Sequence, residues 1–413
     1  MIESGSINIF DFVSLSLGFI FLWSTLVVTI GLIIPHKKRP EPDRYLKFAV
    51  LICARNEENV IKLPVKSVLM SSYPKDRLEV IVLADNCTDK TAERARAAGA
   101  TVWEKLSPSS GKGDVLSWGV GKVLERGDFD AVAVFDADNV ASDHWFNAMN
   151  EALNDGEVVV TGRRMTSNAT TNIISGWYTV YWDLMNELSN RVRTKLGFSG
   201  KLTGTGFAFL TAILEGKGWK TRTMVEDVEF SIQCNIAGYR VGYIPEAEYA
   251  DEQPIKVVHM WRQLSRWATG CWQVARIYFL PWVKAMFSQP SVRLFDCYFA
   301  ILTGMSVAFV LFFAIVGFIV KVSLGEPILI SALFTFVMFA FVALVGLITA
   351  CGAVALSSKK RRPRWWAILT FPTFSFILSA TVLYTLIFPT KRWKPIPHGD
   401  GHRDSDEELN NDK

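Results

Sequence analysis

The sequence predicts an α/β domain with a doubly wound, largely parallel sheet, inserted between an N-terminal transmembrane helix and a C-terminal helical membrane block. Half of the 413 residues are hydrophobic and the mean hydropathy is +0.22, which is too apolar for an ordinary soluble domain. Long uncharged runs lie towards both ends of the chain. Between them, residues 41–276 contain alternating strand-like and helix-like segments and are numerous enough to hold a full globular core.

The α/β prediction depends on the alternation of segment types in residues 48–135. Four β-rich runs are typical of buried strands, and two segments with helical spacing lie among them. The strand runs are 48–54, 78–84, 101–103 and 131–135, and the helical segments are 57–70 and 88–98. Because β-α-β units place their strands in parallel, this order predicts a doubly wound sheet.

Residues 1–40 are predicted to form an uncleaved transmembrane anchor. The run Phe12–Ile34 carries no charge, and it is long enough to cross a hydrocarbon core of roughly 30 Å at about 1.5 Å per residue. Basic residues follow it at 36–39 and acidic residues precede it, which is the reverse of a cleaved signal peptide. Since cytoplasmic flanks carry the positive charge, the domain formed by residues 41–276 is expected in the cytoplasm.

Residues 277–390 predict a membrane region with two or three spans. Two uncharged runs, Cys297–Val320 and Ile328–Leu356, are each long enough to cross a bilayer. The basic cluster Lys359–Arg362 follows the second run, which fits a return to the cytoplasmic side. The chain is therefore expected to be a multi-pass protein of the plasma membrane.

The last apolar run, Trp365–Phe388, allows two interpretations. Basic clusters flank it on both sides, and Pro372 interrupts it by removing a helix hydrogen bond. One interpretation is a bent re-entrant or interfacial element, which leaves the polar tail 391–413 cytoplasmic and near the functional site. The other is a kinked fourth span with the tail outside.

Four short fragments carry the candidate chemistry, and two of them follow predicted strands. They contain Asp85, Asp136 with Asp138, Glu226 with Asp227, and Gln263 with Arg266 and Trp267. Asp85 and Asp136 lie just past strand ends, where ligands bind in open α/β sheets. Asp136 and Asp138 form a D-x-D pair, and Mg²⁺ or Mn²⁺ is typically held by one or two carboxylates together with phosphate oxygens. Such a cation neutralises a departing diphosphate. The alternative is that the pair caps the following helix.

The fragment Gln263-x-x-Arg266-Trp267 also supports two interpretations. In a helix these three side chains share one face. The arginine fork suits a pyrophosphate, and the tryptophan offers a flat apolar surface to a sugar ring. The same segment is rich in tryptophan and arginine, which is typical of an amphipathic helix at a membrane surface.

Residues from about Val50 to Val274 resemble the membrane-embedded family 2 glycosyltransferases with a GT-A fold, such as the cellulose, chitin, hyaluronan and poly-N-acetylglucosamine synthases. The resemblance implies that Asp85 contacts the uracil of a UDP-sugar. The sequence around Asp85 departs from the family's usual D-D-G-S motif, because Ala84 replaces the first acid and Asn86-Cys87 replaces Gly-Ser. The resemblance also implies that the backbone around Asn56 and Glu57 lines the nucleoside and that Lys112 lies near the nucleotide.

The same resemblance implies roles for the remaining motifs. Asp138 would bind Mg²⁺ or Mn²⁺, and Asp136 would touch the ribose or support the metal. Asp227 would be the general base that deprotonates the acceptor hydroxyl, with Glu226 as its neighbour. Gln263, Arg266 and Trp267 would mark the acceptor end of the site. Residues 200–209 resemble a glycine-bearing acceptor loop, although a tight turn between a helix and a strand is the equal alternative.

The expected function is an inverting, metal-dependent transfer of a sugar from a UDP-sugar to a growing polysaccharide, with processive synthesis and export across the membrane. The alternatives are transfer of one sugar to a membrane lipid, and an inactive homologue that acts as a membrane scaffold. A bundle of so few spans is narrow, so a homo-oligomer or a small membrane subunit is a further expected partner, besides membrane lipids. No nucleic-acid partner is expected. The sequence does not identify the sugar.

Overall fold

The computed structural model describes residues 9–35, 39–357 and 362–391. Residues 36–38, residues 358–361 with three of the four predicted basic residues at 359–362, and the predicted polar tail from 392 onwards lie outside the described residues. The strands are β1 (Phe48–Ala54), β2 (Leu78–Asp85), β3 (Thr101–Lys105), β4 (Ala131–Asp136), β5 (Val140–Ala141), β6 (Val159–Thr166), β7 (Phe207–Leu210) and β8 (Val241–Asp251). In the described part of the chain they form one eight-stranded sheet in the order β3-β2-β1-β4-β7-β6-β8-β5.

The first half of this sheet is parallel, because β1 pairs in parallel with both β2 and β4, and β2 pairs in parallel with β3. In the second half β7 runs antiparallel to β4 and β6, whereas β6 and β8 are parallel. The predicted doubly wound, largely parallel α/β fold is therefore confirmed, with an antiparallel strand at its centre. Phe48, Val50 and Ile52 pack on one face, and Ala49 and Leu51 pack on the other. Burial on both faces explains why these strands are continuous apolar runs.

Helices cover both faces of the sheet and extend from it towards the apolar segments. Their bounds are α1 (Ile9–Ile33), α2 (Lys62–Leu69), α3 (Thr91–Ala97), α4 (Lys112–Arg126), α5 (Trp145–Asn154), α6 (Ile173–Asp183), α7 (Val192–Lys195), α8 (Glu226–Ile236), α9 (Val257–Ser288), α10 (Val292–Ser323), α11 (Ile328–Leu356), α12 (Trp365–Leu369) and α13 (Phe371–Ile387). A π-helical segment, Leu184–Arg191, joins α6 to α7, and short 3-10 turns lie at Lys75–Arg77 and Thr211–Ile213. Among the described residues, three helices are long and apolar enough to cross a membrane: Ser16–Ile33 of α1, α10 and α11.

A buried ion pair joins the apolar helices to the α/β domain. Asp296 of α10 is fully buried, and its Oδ2 accepts a hydrogen bond of 2.9 Å from Nε of Arg193 in α7. Its Oδ1 accepts a 3.0 Å bond from Nε1 of Trp23 in α1. At Gly31 of α1, an added Cβ would lie 2.5 Å from Cβ of Val192. Three helices distant in sequence therefore meet at one close contact.

Both ends of the segment 365–388 lie against helices of the α/β domain. At its start, Nε1 of Trp177 in α6 donates a 2.9 Å hydrogen bond to Oγ1 of Thr370. Just past its end, N–H of Thr390 donates to Oγ1 of Thr269 in α9 at 3.1 Å. Pro372 lies in the first turn of α13, where its missing N–H breaks no helix bond. Contacts with α6 and α9 at both ends agree with an interfacial element, and the orientation of this segment in a membrane stays a prediction.

Candidate active site

A cavity of about 880 Å³ opens at the carboxyl ends of β1, β2 and β4 and extends to helices α10 and α13. Ten of the eleven predicted site residues line this cavity. They are Glu57, Asp85, Lys112, Asp136, Asp138, Glu226, Asp227, Gln263, Arg266 and Trp267. The location at strand ends agrees with the rule for open α/β sheets. Residues separated by up to 210 positions in the sequence thus share one space.

Asp85 anchors the end of the cavity next to β2. Its side chain is almost fully buried, and its Oδ2 accepts a hydrogen bond of 2.6 Å from Oγ of Ser109. Nδ2 of Asn86 donates to the other carboxylate oxygen at 2.8 Å, and Nη1 of Arg55 lies 3.7 Å from Oδ2. These donors keep the carboxylate fixed at the cavity wall, where it can accept an N–H from a ligand.

Asn56 and Glu57 form the turn that follows β1. Asn56 adopts a left-handed backbone conformation with φ of 58°, which asparagine tolerates better than most residues. Its side-chain Oδ1 accepts a hydrogen bond from the backbone N–H of Thr88 at 2.8 Å. The Asn56 side chain thus holds the loop after β2 and does not line the cavity, whereas Glu57 does.

Lys112 connects two predicted acidic positions. It begins α4, and its Nζ donates to Oδ1 of Asp136 and to the carbonyl oxygen of Gly204. Nζ also lies 3.8 Å from Oε1 of Glu226. Burial lowers the pKa of Lys112, but Asp136 and Glu226 outweigh it, so the pKa lies above its ordinary value. The ammonium therefore stays charged and keeps positive charge at the centre of the site.

Asp138 lies deeper than Asp136 and faces a second acidic residue. Its Oδ2 accepts a hydrogen bond from the backbone N–H of Glu252 at 3.2 Å, and Oδ1 accepts one from Nδ2 of Asn139 at 3.1 Å. Asp251, at the end of β8, is also buried, and burial raises its pKa to about 6, with the charge of Asp138 adding to the effect. Oδ1 of Asp251 has no hydrogen-bond partner among the described residues.

Arg164 was not predicted from the sequence, yet it joins several walls of the cavity. Its Nε donates to Oδ2 of Asp251 at 3.0 Å, and its Nη1 donates to the carbonyl oxygen of Thr203 at 2.6 Å. The guanidinium also lies over the Trp182 ring, 3.8 Å from the centroid. No motif marks Arg164 or Asp251. No local signal could have found them, because β6 and β8 carry other charged residues, such as Arg163 and Glu248, and the pairing of Arg164 with Asp251 arises only in the fold.

Glu226 and Asp227 form the first turn of α8. Burial raises the pKa of Glu226 to about 7, Lys112 opposes the shift, and Asp227 adds to it. Burial also raises the pKa of Asp227, whereas the backbone N–H of Val228 lowers it. Arg266 contributes to holding both carboxylates charged. A buried carboxylate with a raised pKa is a stronger proton acceptor than an exposed one.

Helix α9 brings the predicted Gln263, Arg266 and Trp267 to the cavity together. Nη1 of Arg266 donates to the carbonyl oxygen of Met224 at 2.9 Å, just before the acidic pair. Oε1 of Gln263 is buried without a hydrogen-bond partner among the described residues. Trp267 stacks on Tyr181, with ring centroids 5.9 Å apart and an interplanar angle of 23°. One face of the Trp267 ring is therefore already covered by protein.

The loop between α7 and β7 forms the wall opposite α8. Gly204 and Gly206 have φ of 88° and 63°. A Cβ at Gly204 would lie 3.9 Å from Oδ2 of Asp227, so the backbone passes close to that carboxylate. At Gly206 a Cβ would lie 2.0 Å from Cε1 of Tyr249. The segment is a tight turn, and residues 201–204 line the cavity. Its role as an acceptor loop stays a prediction.

Replacing Gly206 with alanine is expected to destabilise the fold by about 2–5 kcal/mol. The left-handed backbone accounts for about 1–2 kcal/mol, and the overlap with Tyr249 adds about 1–3 kcal/mol. Gly216→Ala is the matched control, because Gly216 has φ of 69° and nothing within 4 Å of an added Cβ. Thermal unfolding of both variants measures the difference. Equal destabilisation would contradict the close packing of Gly206 on Tyr249.

The cavity combines acidic strand ends, a fixed lysine and a buried carboxylate pair at one helix start, on an α/β fold that places them together. The sequence model described as "Glycosyltransferase like family 2" matches residues 44–270. The chain belongs to this family and is a glycosyltransferase. The solved structure of a mannosyltransferase from Pyrobaculum calidifontis, in complex with GDP-mannose and Mn²⁺, superposes with a TM-score of 0.54 at 18% identity. The superposition covers 90% of this chain and 98% of that chain, which confirms the GT-A fold.

Curated relatives include enzymes with different acceptors. A probable glycosyltransferase, YdaM, of Bacillus subtilis is 25% identical over 84% of this chain and 83% of its own length. A beta-monoglucosyldiacylglycerol synthase of Nostoc is 28% identical over 58% of this chain, and the match spans 52% of that enzyme. A poly-beta-1,6-N-acetyl-D-glucosamine synthase of Staphylococcus aureus is 24% identical over 61% of both chains.

Proposed function

We propose that this chain transfers a hexose from a UDP-sugar to an acceptor hydroxyl in one inverting displacement. The observation that carries the proposal is that one cavity contains Asp85 at a strand end, the pair Asp136 and Asp138, the pair Glu226 and Asp227, and Lys112 between Asp136 and Glu226. Asp85 would accept the N–H of uracil. Lys112 and Arg266 would hold the diphosphate, since both cations are fixed next to the pair formed by Glu226 and Asp227.

The acidic residues fit a hard divalent cation. Among the described residues, no group of three or more His, Cys, Asp or Glu side chains is arranged to hold a metal. A Mg²⁺ or Mn²⁺ ion here would therefore depend on Asp138, Asp136 and the phosphate oxygens of the donor. The unpartnered, buried Oδ1 of Asp251 is a further oxygen donor at this wall. When bound, the cation would neutralise the departing diphosphate.

Asp227 is the proposed general base. It lies beside the glycine loop, and its raised pKa suits the removal of a proton from a hydroxyl group. The acceptor oxygen would attack the anomeric carbon on the face opposite UDP, and the bond between that carbon and the phosphate oxygen would break. Glu226 contacts Lys112 and would keep this lysine directed at the site.

Two acceptors were predicted, and the lining of the cavity supports the lipid. The end of the cavity remote from Asp85 lies between α10 and α13, and aliphatic side chains line it. These residues are Ile301, Met305, Leu378 and Val382. Polysaccharides need polar and aromatic contacts, whereas aliphatic walls suit acyl or prenyl chains. We therefore favour single-sugar transfer to a membrane lipid over the predicted polysaccharide, which remains the second candidate.

The proposed function is tested by measuring UDP release from membranes that contain the chain. UDP-glucose, UDP-N-acetylglucosamine, UDP-glucuronate and UDP-galactose are offered in turn with Mg²⁺ or Mn²⁺, and the products are sized. Turnover of one donor that stops with EDTA and resumes with added metal is expected. One discrete glycolipid supports the lipid acceptor, and a ladder supports the polymer. Turnover unaffected by EDTA contradicts the metal assignment.

The rate is expected to fall as the pH is lowered. Asp227 must be unprotonated to act, and burial raises its pKa above the ordinary value. Burial also raises the pKa of the neighbouring Glu226, to about 7. Activity is therefore lost at a higher pH than an ordinary carboxylate would give. Lys112 adds no alkaline limit near neutrality, because its pKa is raised. Initial rates between about pH 5 and 9 at saturating donor measure this profile. A rate that stays flat down to about pH 5 would contradict it.

A further inference from the structure

Lys201 places a positive charge at the boundary between the catalytic and the aliphatic parts of the cavity. It lines the cavity together with Ile301 and Met305 of α10. Its Nζ donates a hydrogen bond of 2.6 Å to the carbonyl oxygen of Ala300. Within the described residues no ion pair joins Lys201 to a carboxylate, because the nearby Asp296 is already bound to Arg193. This ammonium is partly buried, and it has no counter-ion among the described residues.

The surroundings of Lys201 disfavour its charge. Burial lowers its pKa to about 8, and the neighbouring Arg193 adds to this effect. Lysine at this pKa still carries its charge at neutral pH. Burying an unpaired cation is costly, and an anion that binds beside it removes much of the cost. The site around Lys201 is therefore suited to a negatively charged group.

The position of Lys201 relates it to the acceptor and not to the donor. Lys201 precedes Gly204, whose position lies next to the Asp227 carboxylate, by three residues. The Cys271 thiol on α9 is within electrostatic reach of both groups, since Lys201 lowers and Asp227 raises its pKa. On the other side, Leu378 and Val382 of α13 continue the aliphatic wall. Lys201, Asp227 and the aliphatic residues of α13 therefore line one continuous cavity.

We propose that the acceptor is a phosphate-bearing membrane lipid whose headgroup carries a free hydroxyl, and that Lys201 binds its phosphate. The proposal rests on the function proposed above. The hydrocarbon chain would lie between α10 and α13, and the headgroup hydroxyl would reach Asp227. Asp227 takes the hydroxyl proton, the oxygen bonds to the anomeric carbon, and UDP leaves with the electron pair of the broken bond. The lipid phosphate is unchanged.

The test compares acceptors that differ in charge. The full chain is reconstituted in phosphatidylcholine vesicles with the preferred UDP-sugar and with phosphatidylglycerol, diacylglycerol or soluble glycerol phosphate. Transfer to phosphatidylglycerol is expected to exceed transfer to the other two. In Lys201→Gln, the KM for phosphatidylglycerol is expected to rise about 10- to 100-fold, as for a lost charge-assisted hydrogen bond. The KM for the UDP-sugar is expected to stay unchanged, and Lys201→Arg is expected to restore phosphatidylglycerol use.

The outcomes separate this proposal from the proposed function. If diacylglycerol is used at the same rate as phosphatidylglycerol, Lys201 does not select a phosphate. If Lys201→Gln lowers the transfer rate to both lipids equally, Lys201 serves only as a structural contact with α10. Transfer to glycerol phosphate at the same rate would identify a soluble phosphate as the acceptor. Formation of a polymer, or hydrolysis of the donor without a lipid product, overturns the lipid proposal. Neither outcome contradicts the proposed sugar-transferase function. No turnover of any UDP-sugar, by acceptor or by water, overturns the proposed function.

Discussion

Replacing Asp227 with asparagine is expected to lower the rate of sugar transfer by about 10²- to 10⁴-fold, the usual contribution of a general base. The amide cannot accept the proton of the acceptor hydroxyl, yet it keeps the size of the side chain. Asp227 is buried at the start of α8 and lies beside Gly204, so no other carboxylate shares its position. Its neighbour Glu226 contacts Lys112 instead. The loss is expected in kcat for transfer.

The matched control for this change is Asp143→Asn. Asp143 is exposed and does not line the cavity, so its replacement is expected to leave transfer unchanged. The KM for the UDP-sugar is expected to stay within about twofold in Asp227→Asn, because the base does not bind the donor. A wild-type rate in Asp227→Asn would contradict the assignment. A large rise in donor KM with unchanged kcat would place Asp227 in donor binding instead.

Replacing Asp296 with alanine is expected to destabilise the chain by about 3–5 kcal/mol, because it leaves Arg193 buried without its partner. Asp296 accepts hydrogen bonds from both Arg193 and Trp23, so the change also separates α1 from α10. Thermal unfolding of the purified chain in detergent measures the effect. The double variant Arg193→Met with Asp296→Leu is expected to recover part of the loss, since it removes both buried charges.

Glu326→Ala is the control for the Asp296 prediction. The ion pair between Lys321 and Glu326 lies at the other end of α10, with an N–O distance of 3.5 Å and both side chains exposed. Loss of such a surface pair is expected to cost below about 1 kcal/mol. If Asp296→Ala unfolds at the same temperature as Glu326→Ala, the buried pair does not hold α1 and α10 to the α/β domain.

The strands predicted with nearly their observed ends are those buried on both faces, whereas the partly exposed edge strand β3 was predicted as 101–103 and extends to Lys105. β1 was predicted with its observed ends, and β2 and β4 with one residue fewer, because their apolar runs are continuous. β6 and β8 were not predicted, because polar and charged residues such as Arg164 and Asp251 interrupt them. These two residues pair with each other across the sheet. Only the fold brings them together, so no local pattern could show that their charges are compensated.

The acidic motifs that line the cavity could be predicted because each is local in sequence, whereas the lining of the aliphatic end of the cavity could not. Asp136 and Asp138, or Glu226 and Asp227, are neighbours along the chain. Lys201 becomes a candidate only when α10 and α13 are placed around it. The side chain of Asn56 turned out to hold the loop after β2. A resemblance to a motif does not show whether the backbone or the side chain lines a site.

The anomeric configuration of the first product formed from an α-linked UDP-hexose, determined by proton NMR, tests the single displacement. A single displacement with Asp227 as base inverts the anomeric carbon, so a β-linked product is expected. Asp227→Asn should form the same product more slowly. An α-linked product would require retention of configuration, and it would contradict both the single displacement and the role of Asp227 as the base.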